Sequence, residues 1–299
     1  MKRITTLFTL LLAVLSIQAQ PEVAVTEGIV AMSHGEKPGF QIVLENAELD
    51  DVEKVLKDHF KQYKGKSSGN SKTEVMFDDA TIMALSDNTV DVYVKVYQAS
   101  TSVKINAFFD LGGIYLSGAT HSEQAKAAEE LMAAAGLRYY KFRTEQELKT
   151  EEISLKELEK SLDGLIKVKD RLQKSIASSE RDIERSRQDI AENLTDQDRK
   201  RAEIETQKDV IIKIADAVGD EKKVAQKTLK GLERDLEKLE KSNEKLHEGI
   251  ANAETSIDES RREITKNEDE QRELKQKVSD QQLTVRDVEA RLAQFPKFK

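Results

Sequence analysis

Four histidines, His34, His59, His121 and His247, are the side chains best able to carry acid–base or metal chemistry, and they lie far apart in the chain. None falls in a His-x-x-x-His spacing or beside the glutamate of a metalloprotease pattern, so each reads as a surface or turn residue. Asp78-Asp79 offers two carboxylates to a cation. An acidic pair at a strand end, without further oxygen ligands at suitable spacing, reads instead as a turn. Gly112-Gly113 lacks the strand-to-helix context and the lysine of a phosphate loop. Serines are plentiful, but no nucleophile elbow accompanies them. Tyr93, Tyr97 and Tyr115 are candidates for an aromatic wall around a small ligand, although tyrosines so placed more often form a second packing face of a sheet. The expectation is therefore no enzyme, no metal site and no cofactor.

The elements that position these residues divide the chain in two. All 6 tyrosines and seven of the 9 phenylalanines precede Arg143, and only Phe295 and Phe298 lie beyond it. Charged residues make up 35% of the sequence, above the usual ~25% of a globular domain, with the excess in the second half. At its start, Lys2 and Arg3 precede an apolar run over residues 7–17, and Gln18-Ala19-Gln20 offers cleavage after Ala19. That pattern is a secretory signal, and the run is too short to span a bilayer as a helix. With no cysteine, disulfides and a lipid-modified N-terminal cysteine are both excluded. The expectation is a signal peptide over 1–19 and a soluble, exported or periplasmic mature protein.

Residues 20–143 read as an α+β head. Strand-like runs at 22–33 and 39–44 flank the turn-rich segment 34–38, which suggests a hairpin. A helix follows over 47–64, with Asn46 as N-cap and Gly65 as its stop. Segment 65–72, basic and rich in small residues, reads as a loop. Strands are expected at 73–77, 90–97 and 101–109; in the second, valine alternates with other types, which sends the valines to one face. Thr120 and Glu123 frame a capping box for a second helix whose buried stripe is Ala125, Ala128, Leu131, Met132 and Ala135, and whose end is Gly136. Residues 137–143 could return to the sheet as a last strand. The order, two helices on a mostly antiparallel sheet, resembles a ferredoxin-like plait with an extra hairpin, a likeness of topology that implies no activity.

Thr144 and Glu147 frame another capping box, where a long helix should begin. From residue 145 to 294 there is no proline and no aromatic residue. Apolar residues fall into heptads, with a positions running from Leu148 through Leu155, Leu162, Ile176, Ile183, Ile190, Ile204 and Ile211 to Val218. A second register runs from Leu229 to Leu292. The two are eleven residues out of step, as a stutter or a turn requires. Gly219 suits a helix end and Asp220 a helix start, which favours an antiparallel coiled-coil hairpin over residues 144–299, with arms 145–218 and 222–294 and the tip at 219–221. The alternative is a continuous parallel coiled coil. Each hairpin arm would reach about 110 Å. Folding at the tip sets Asn193 against Asn243, a pair able to exchange side-chain hydrogen bonds. Phe295 and Phe298, beyond the helix, either dock on the head or belong to a frayed end.

The function classes follow from shape and charge. A net charge of -8 with interspersed signs opposes a nucleic-acid partner. The charged outer positions of the arms oppose membrane insertion. The reading is an exported, non-enzymatic envelope protein, a coiled-coil scaffold, adaptor or tether with a binding head, whose partners are envelope proteins or further copies of itself. Alternatives are a periplasmic holdase or assembly chaperone using the arms, and a small-ligand receptor centred on the head.

Overall fold

The protein is described from a computed structural model covering residues 21–71, 74–214 and 220–298. The signal segment 1–19 and Gly219 of the expected tip lie outside these residues. Two compact units are present, one formed by the chain up to Ser154 together with Gln281–Lys299, the other by Leu155–Asp280.

In the first unit, six strands form one antiparallel sheet: β1 (Thr26–Met32), β2 (Gly35–Glu45), β3 (Lys66–Ser71), β4 (Glu74–Ala80), β5 (Val90–Ala99) and β6 (Ser102–Asp110), in spatial order β1-β2-β6-β5-β4-β3. Helix α1 (Leu49–Lys61) connects β2 to β3, and helix α2 (Ser122–Lys213) follows the last strand. A ferredoxin-like plait would place a strand after its second helix. Here β3 to β6 form a meander that closes on β2, and no strand follows α2 among the described residues.

Alternation decides which face of the sheet is covered. Phe40, Ile42 and Leu44 of β2, Val90, Val92, Val94 and Val96 of β5, and Val103, Ile105, Ala107 and Phe109 of β6 project into one core. The apolar stripe of α1 (Val52, Val55, Leu56, Phe60) and that of α2 (Ala125, Ala128, Leu131, Met132, Ala135, Tyr139) complete it. A two-residue turn folds β1 onto β2, and the end of this hairpin curls over the opposite face. Ser33 donates its backbone N–H to the Glu74 carboxylate on β4 and its hydroxyl bonds to the same group, while Lys95 of β5 donates to the Ala31 carbonyl at 2.9 Å. Met32, Tyr93 and Phe108 are buried beneath it, with Val30, Met76 and Tyr115 alongside. Gly39 permits the bend, since a Cβ there would stand 2.7 Å from the Phe108 ring.

Several local expectations need correction. Segment 65–72 contains strand β3, because an edge strand needs only backbone pairing with β4, and its small side chains do not prevent that. Helix α1 starts at Leu49; Asn46 adopts a left-handed φ of 52° rather than capping it, and the left-handed residue after the helix is Lys64 (φ 63°), not Gly65. Most consequential, α2 runs through Gly136, residues 137–143 and Thr144 without a break. Tyr139, Tyr140 and Phe142 are thus helical rather than extended. Tyr139 is 1% exposed, and its hydroxyl accepts from Glu48 N at 3.2 Å while that of Tyr140 accepts from Glu45 N at 3.3 Å. These contacts reward continued helix where the local sequence offered a stop. Thr144 lies mid-helix, and its hydroxyl donates to the Tyr140 carbonyl at 3.0 Å, one turn back.

The second unit is a helical hairpin of α2 with α3 (Glu221–Ala293). Ion pairs Glu180–Arg261, Arg187–Glu254 and Arg201–Glu240, each at 3.2 Å, fix an antiparallel register, since numbers rise on α2 by the same steps as they fall on α3. Heptad a and d positions of both helices are buried or half-buried, whereas their outer neighbours are mostly exposed. Polar seam residues are accommodated by the opposite backbone: Gln207 donates to the Ala225 carbonyl and Asn267 to that of Leu165.

Gly136 has a packing role in place of the terminating one. A Cβ at this position would come within 2.6 Å of Val23 Cγ1 in the N-terminal segment. Gly136→Ala should lower the thermal unfolding midpoint, overpacking of about 1–3 kcal/mol exceeding the helix-propensity gain of about 1 kcal/mol. In a Val23→Ala background the same change should become neutral or stabilising. Strict additivity in this double-mutant cycle would contradict the close approach.

Candidate functional site

A cavity of about 760 Å³ in the first unit lies where α1, α2 and α3 meet. Its walls carry Asp51 near the start of α1, Tyr140, Arg143, Thr144, Glu147 and Thr150 from successive turns of α2, Arg291 and Gln294 from the end of α3, then Phe295, with Pro21 at the rim. Helical spacing explains the α2 contribution: residues three and four apart share a face. Arg291 is committed, since it bonds to Glu147 across the helices and lies 3.4 Å from Asp287 on its own helix. Arg143, which also lines the cavity, reaches the Tyr139 hydroxyl at 3.5 Å, a weak bond. Burial raises the Tyr140 phenol above its ordinary range, partly offset by the Glu45 N–H it accepts. The arrangement is a cleft of mixed polarity. It contains no nucleophile with an adjacent base and no convergent metal ligands.

Three residues singled out from sequence, Thr144, Glu147 and Phe295, converge in this cleft, although Thr144 and Glu147 do so as mid-helix residues and not as a capping box. Phe298 belongs to a neighbouring hollow of about 280 Å³ with Val55, His59, Arg138 and Phe142. The Arg138 guanidinium lies 4.8 Å from the centre of its ring and the Lys141 ammonium 5.7 Å. The other sequence-picked residues are dispersed. Thr120 directs its hydroxyl to Ser117 and His121, and α2 starts just after it at Ser122, with Glu123 in the first turn. Asp220 precedes α3, accepts from Val224 N through its carbonyl at 3.0 Å, and holds Lys223 with its carboxylate at 3.5 Å. Asn193 and Asn243 share a seam layer by register, yet Asn193 donates to Ser242 Oγ at 3.3 Å and the buried Asn243 Oδ1 has no partner.

His59 was expected at the surface and is 1% exposed, with its ring edge-on to Phe60 at 5.0 Å and to Tyr63 at 5.9 Å. It lies next to Phe60 on the margin of the apolar stripe of α1, which is the sequence signal that could have placed it inside. Burial, reinforced by the Arg138 charge, lowers its pKa from 6.5 to about 3. On the opposite face of the sheet, Tyr93 and Tyr115 pack with His34, whose Nδ1 is 3.1 Å from the Tyr115 hydroxyl. Burial and the nearby Asp110 carboxylate push Tyr115 up to about 12. These tyrosines close a second packing layer under the hairpin. At the far end of β4, carboxylate oxygens of Asp78, Asp79 and Asp91 lie within 4.8 Å of one another. Two of these groups are already engaged: Asp91 accepts from Asp79 N at 3.0 Å, and Asp79 from the Thr89 hydroxyl at 2.9 Å. Burial and its two acidic neighbours raise the pKa of Asp78.

No family model matches the chain, and no curated protein matches it. Among solved structures, a Smc head domain with a coiled coil and joint derived from Pyrococcus yayanosii aligns over 91% of this chain and 70% of that one, at 15% identity and a TM-score of 0.22. At that score no common fold is shown.

The buried imidazole makes stability depend on pH with a definite sign. His59 stays neutral in the fold while the unfolded chain binds a proton below pH 6.5, so its contribution is fully present above that value and is lost as pH falls toward 3. Between pH 7 and pH 5 the loss should be about 2 kcal/mol. Urea unfolding of wild type and His59→Phe at both values checks this. The variant should show correspondingly less loss, and equal losses would remove His59 as the cause.

Proposed function

We propose that this is an exported, non-enzymatic envelope protein in which a coiled-coil hairpin serves as scaffold or tether and the α+β head holds a partner. The observation that carries the reading is the commitment of Leu155–Asp280 to two helices that bury little beyond their own seam. A hairpin of this kind contributes length and a patterned surface rather than a pocket for chemistry. About sixty residues of each helix in this unit span roughly 90 Å at 1.5 Å per residue.

Export is supported by the basic start, apolar run and Ala19 cleavage pattern of the first twenty residues. Among the described residues no helix is long and apolar enough to cross a membrane. Binding by the head is supported by the 760 Å³ cleft, whose walls combine Tyr140 and Phe295 with Arg143 and Asp51. The same cleft favours small-ligand recognition as a second reading, with polar groups of both signs around an aromatic pair.

Fractionation of a Gram-negative host, with N-terminal sequencing of the recovered protein, tests the central claim. The mature chain should begin at Gln20 and leave the cell with the periplasmic fraction on osmotic shock. Recovery from the cytosol with Lys2 and Arg3 still attached would sink the envelope assignment.

A further inference from the structure

The two flanks of the hairpin seam are not alike. Heptad e positions of α2 face e positions of α3, and here Glu180–Arg261, Arg187–Glu254 and Arg201–Glu240 join the helices. The remaining interhelical ion pair of this unit among the described residues, Lys169–Glu268, also uses an e residue of α3. The same register places g opposite g on the other flank: Asp182 across from Ser256, Asp189 from Gly249, Asp196 from Ser242, and Glu203 from Asp235. No lysine or arginine occupies a g position over this stretch of either helix.

We propose that the g flank between Asp182 and Glu203 is the docking surface for a third helix, one that carries lysine or arginine at heptad spacing. The four acids recur every seven residues, about 10.5 Å apart along the axis, which matches cations repeating at the same interval on a partner helix. Opposite them the surface is low, and a Cβ built on Gly249 meets nothing within 4 Å. A third backbone can therefore approach the seam. An independent sign lies in the layer beneath Ser242, where Asn243 is 8% exposed and its Oδ1 acceptor lacks a partner. A buried acceptor requires a donor, and lysine and arginine are donors only.

Same-helix pairs compete weakly. Asp182, Asp196 and Asp235 contact Arg185, Arg199 and Lys238 at 3.6, 2.9 and 3.0 Å, each three residues away on an exposed surface, and Glu203 contacts the half-buried Lys200 at 2.6 Å and Arg199 at 3.9 Å. Such pairs contribute only a few tenths of a kcal/mol. A second copy is a poor occupant, because two such flanks would oppose acid with acid. Where Glu203 faces Asp235 within one hairpin, Lys200 already bonds Glu203 at 2.6 Å, so the flank toward Asp182 and Asp189 is the part an incoming cation would engage first.

This deepens the scaffold reading by naming what the hairpin holds, and its test is independent of where the protein resides. The probe is a synthetic amphipathic helical peptide with lysine at every seventh position, titrated into the full chain by fluorescence anisotropy, beside the same peptide with glutamate in place of lysine. The lysine peptide should bind and the glutamate peptide should not. Asp182→Asn, Asp189→Asn, Asp196→Asn and Glu203→Gln together should weaken binding by about tenfold or more and flatten its salt dependence. A control set of acids at outer positions, Glu184→Gln, Asp198→Asn and Glu205→Gln, should change affinity less than about twofold. Circular dichroism melts confirm that both variants are folded. Absence of lysine-peptide binding, or equal loss in both sets, would overturn the proposal, whereas failure of export would leave it standing.

Discussion

The first unit depends on α2 remaining helical from Ala125 through Tyr140. That stretch places Ala125, Ala128, Leu131, Met132, Ala135 and Tyr139 against the sheet. Its tyrosine hydroxyls accept the backbone N–H of Glu45 at the end of β2 and that of Glu48 at the entry to α1, where Glu48 makes no side-chain cap of its own. Long-range contacts thus do the capping that local sequence leaves undone. A break at Gly136 would misplace both hydroxyls and uncover His59 and Phe60 together. Glycine persists there because Val23 occupies the space a methyl group would need.

The curled β1–β2 hairpin solves a related problem on the opposite face of the sheet. Antiparallel sheets with one solvated face alternate apolar and polar residues, yet Tyr93, Phe108 and Met76 interrupt that pattern on the outer side. Covering them brings polar neighbours inside as well. Glu74 is compensated by Ser33, and Asn106 accepts from Gln41 at 3.0 Å, although its own amide nitrogen is buried without a partner. An unmade bond of that kind costs about 1–3 kcal/mol. The aromatic burial around it offsets the cost, with Tyr93 and Phe108 each removing a large apolar area from water.

Residues whose periodicity acts over many turns were legible from the sequence. The valines of β5, the alanine-rich stripe of α2 and the heptads of both arms occupy the faces their spacing required. Signals confined to one or two residues were less informative. Gly136, Thr144 and Gly65 each carry a terminator or capping preference of about 1 kcal/mol, which a buried tyrosine or a strand partner readily outweighs. Strand β3 was hidden for the same reason, since backbone pairing to β4 supplies what Lys66, Ser67 and Ser68 do not. The cleft was legible only in part. Thr144 and Glu147 stand out as a capping pattern and Phe295 as a late aromatic, and Arg143 shares their helix face, while Asp51 and Arg291 come from distant segments whose convergence no local pattern records.

The hairpin seam divides stability from specificity. Leucine and isoleucine layers supply most of the apolar burial, and polar layers contribute less to it. Two polar layers are nevertheless satisfied from a fixed direction, Gln207 and Asn267 each donating to a carbonyl four residues before the seam partner. A slip of one heptad would retain many apolar contacts but detach these donors and bring the e-flank charges out of match, setting Glu180 against Glu254. Register therefore resides in weak, directional interactions, and length in strong, undirected ones. Along the g flank Asn193 bonds to Ser242 between the helices and, in the first unit, Glu147 pairs with Arg291, so among the described residues the stretch between Asp182 and Glu203 contributes less to register than the e flank does.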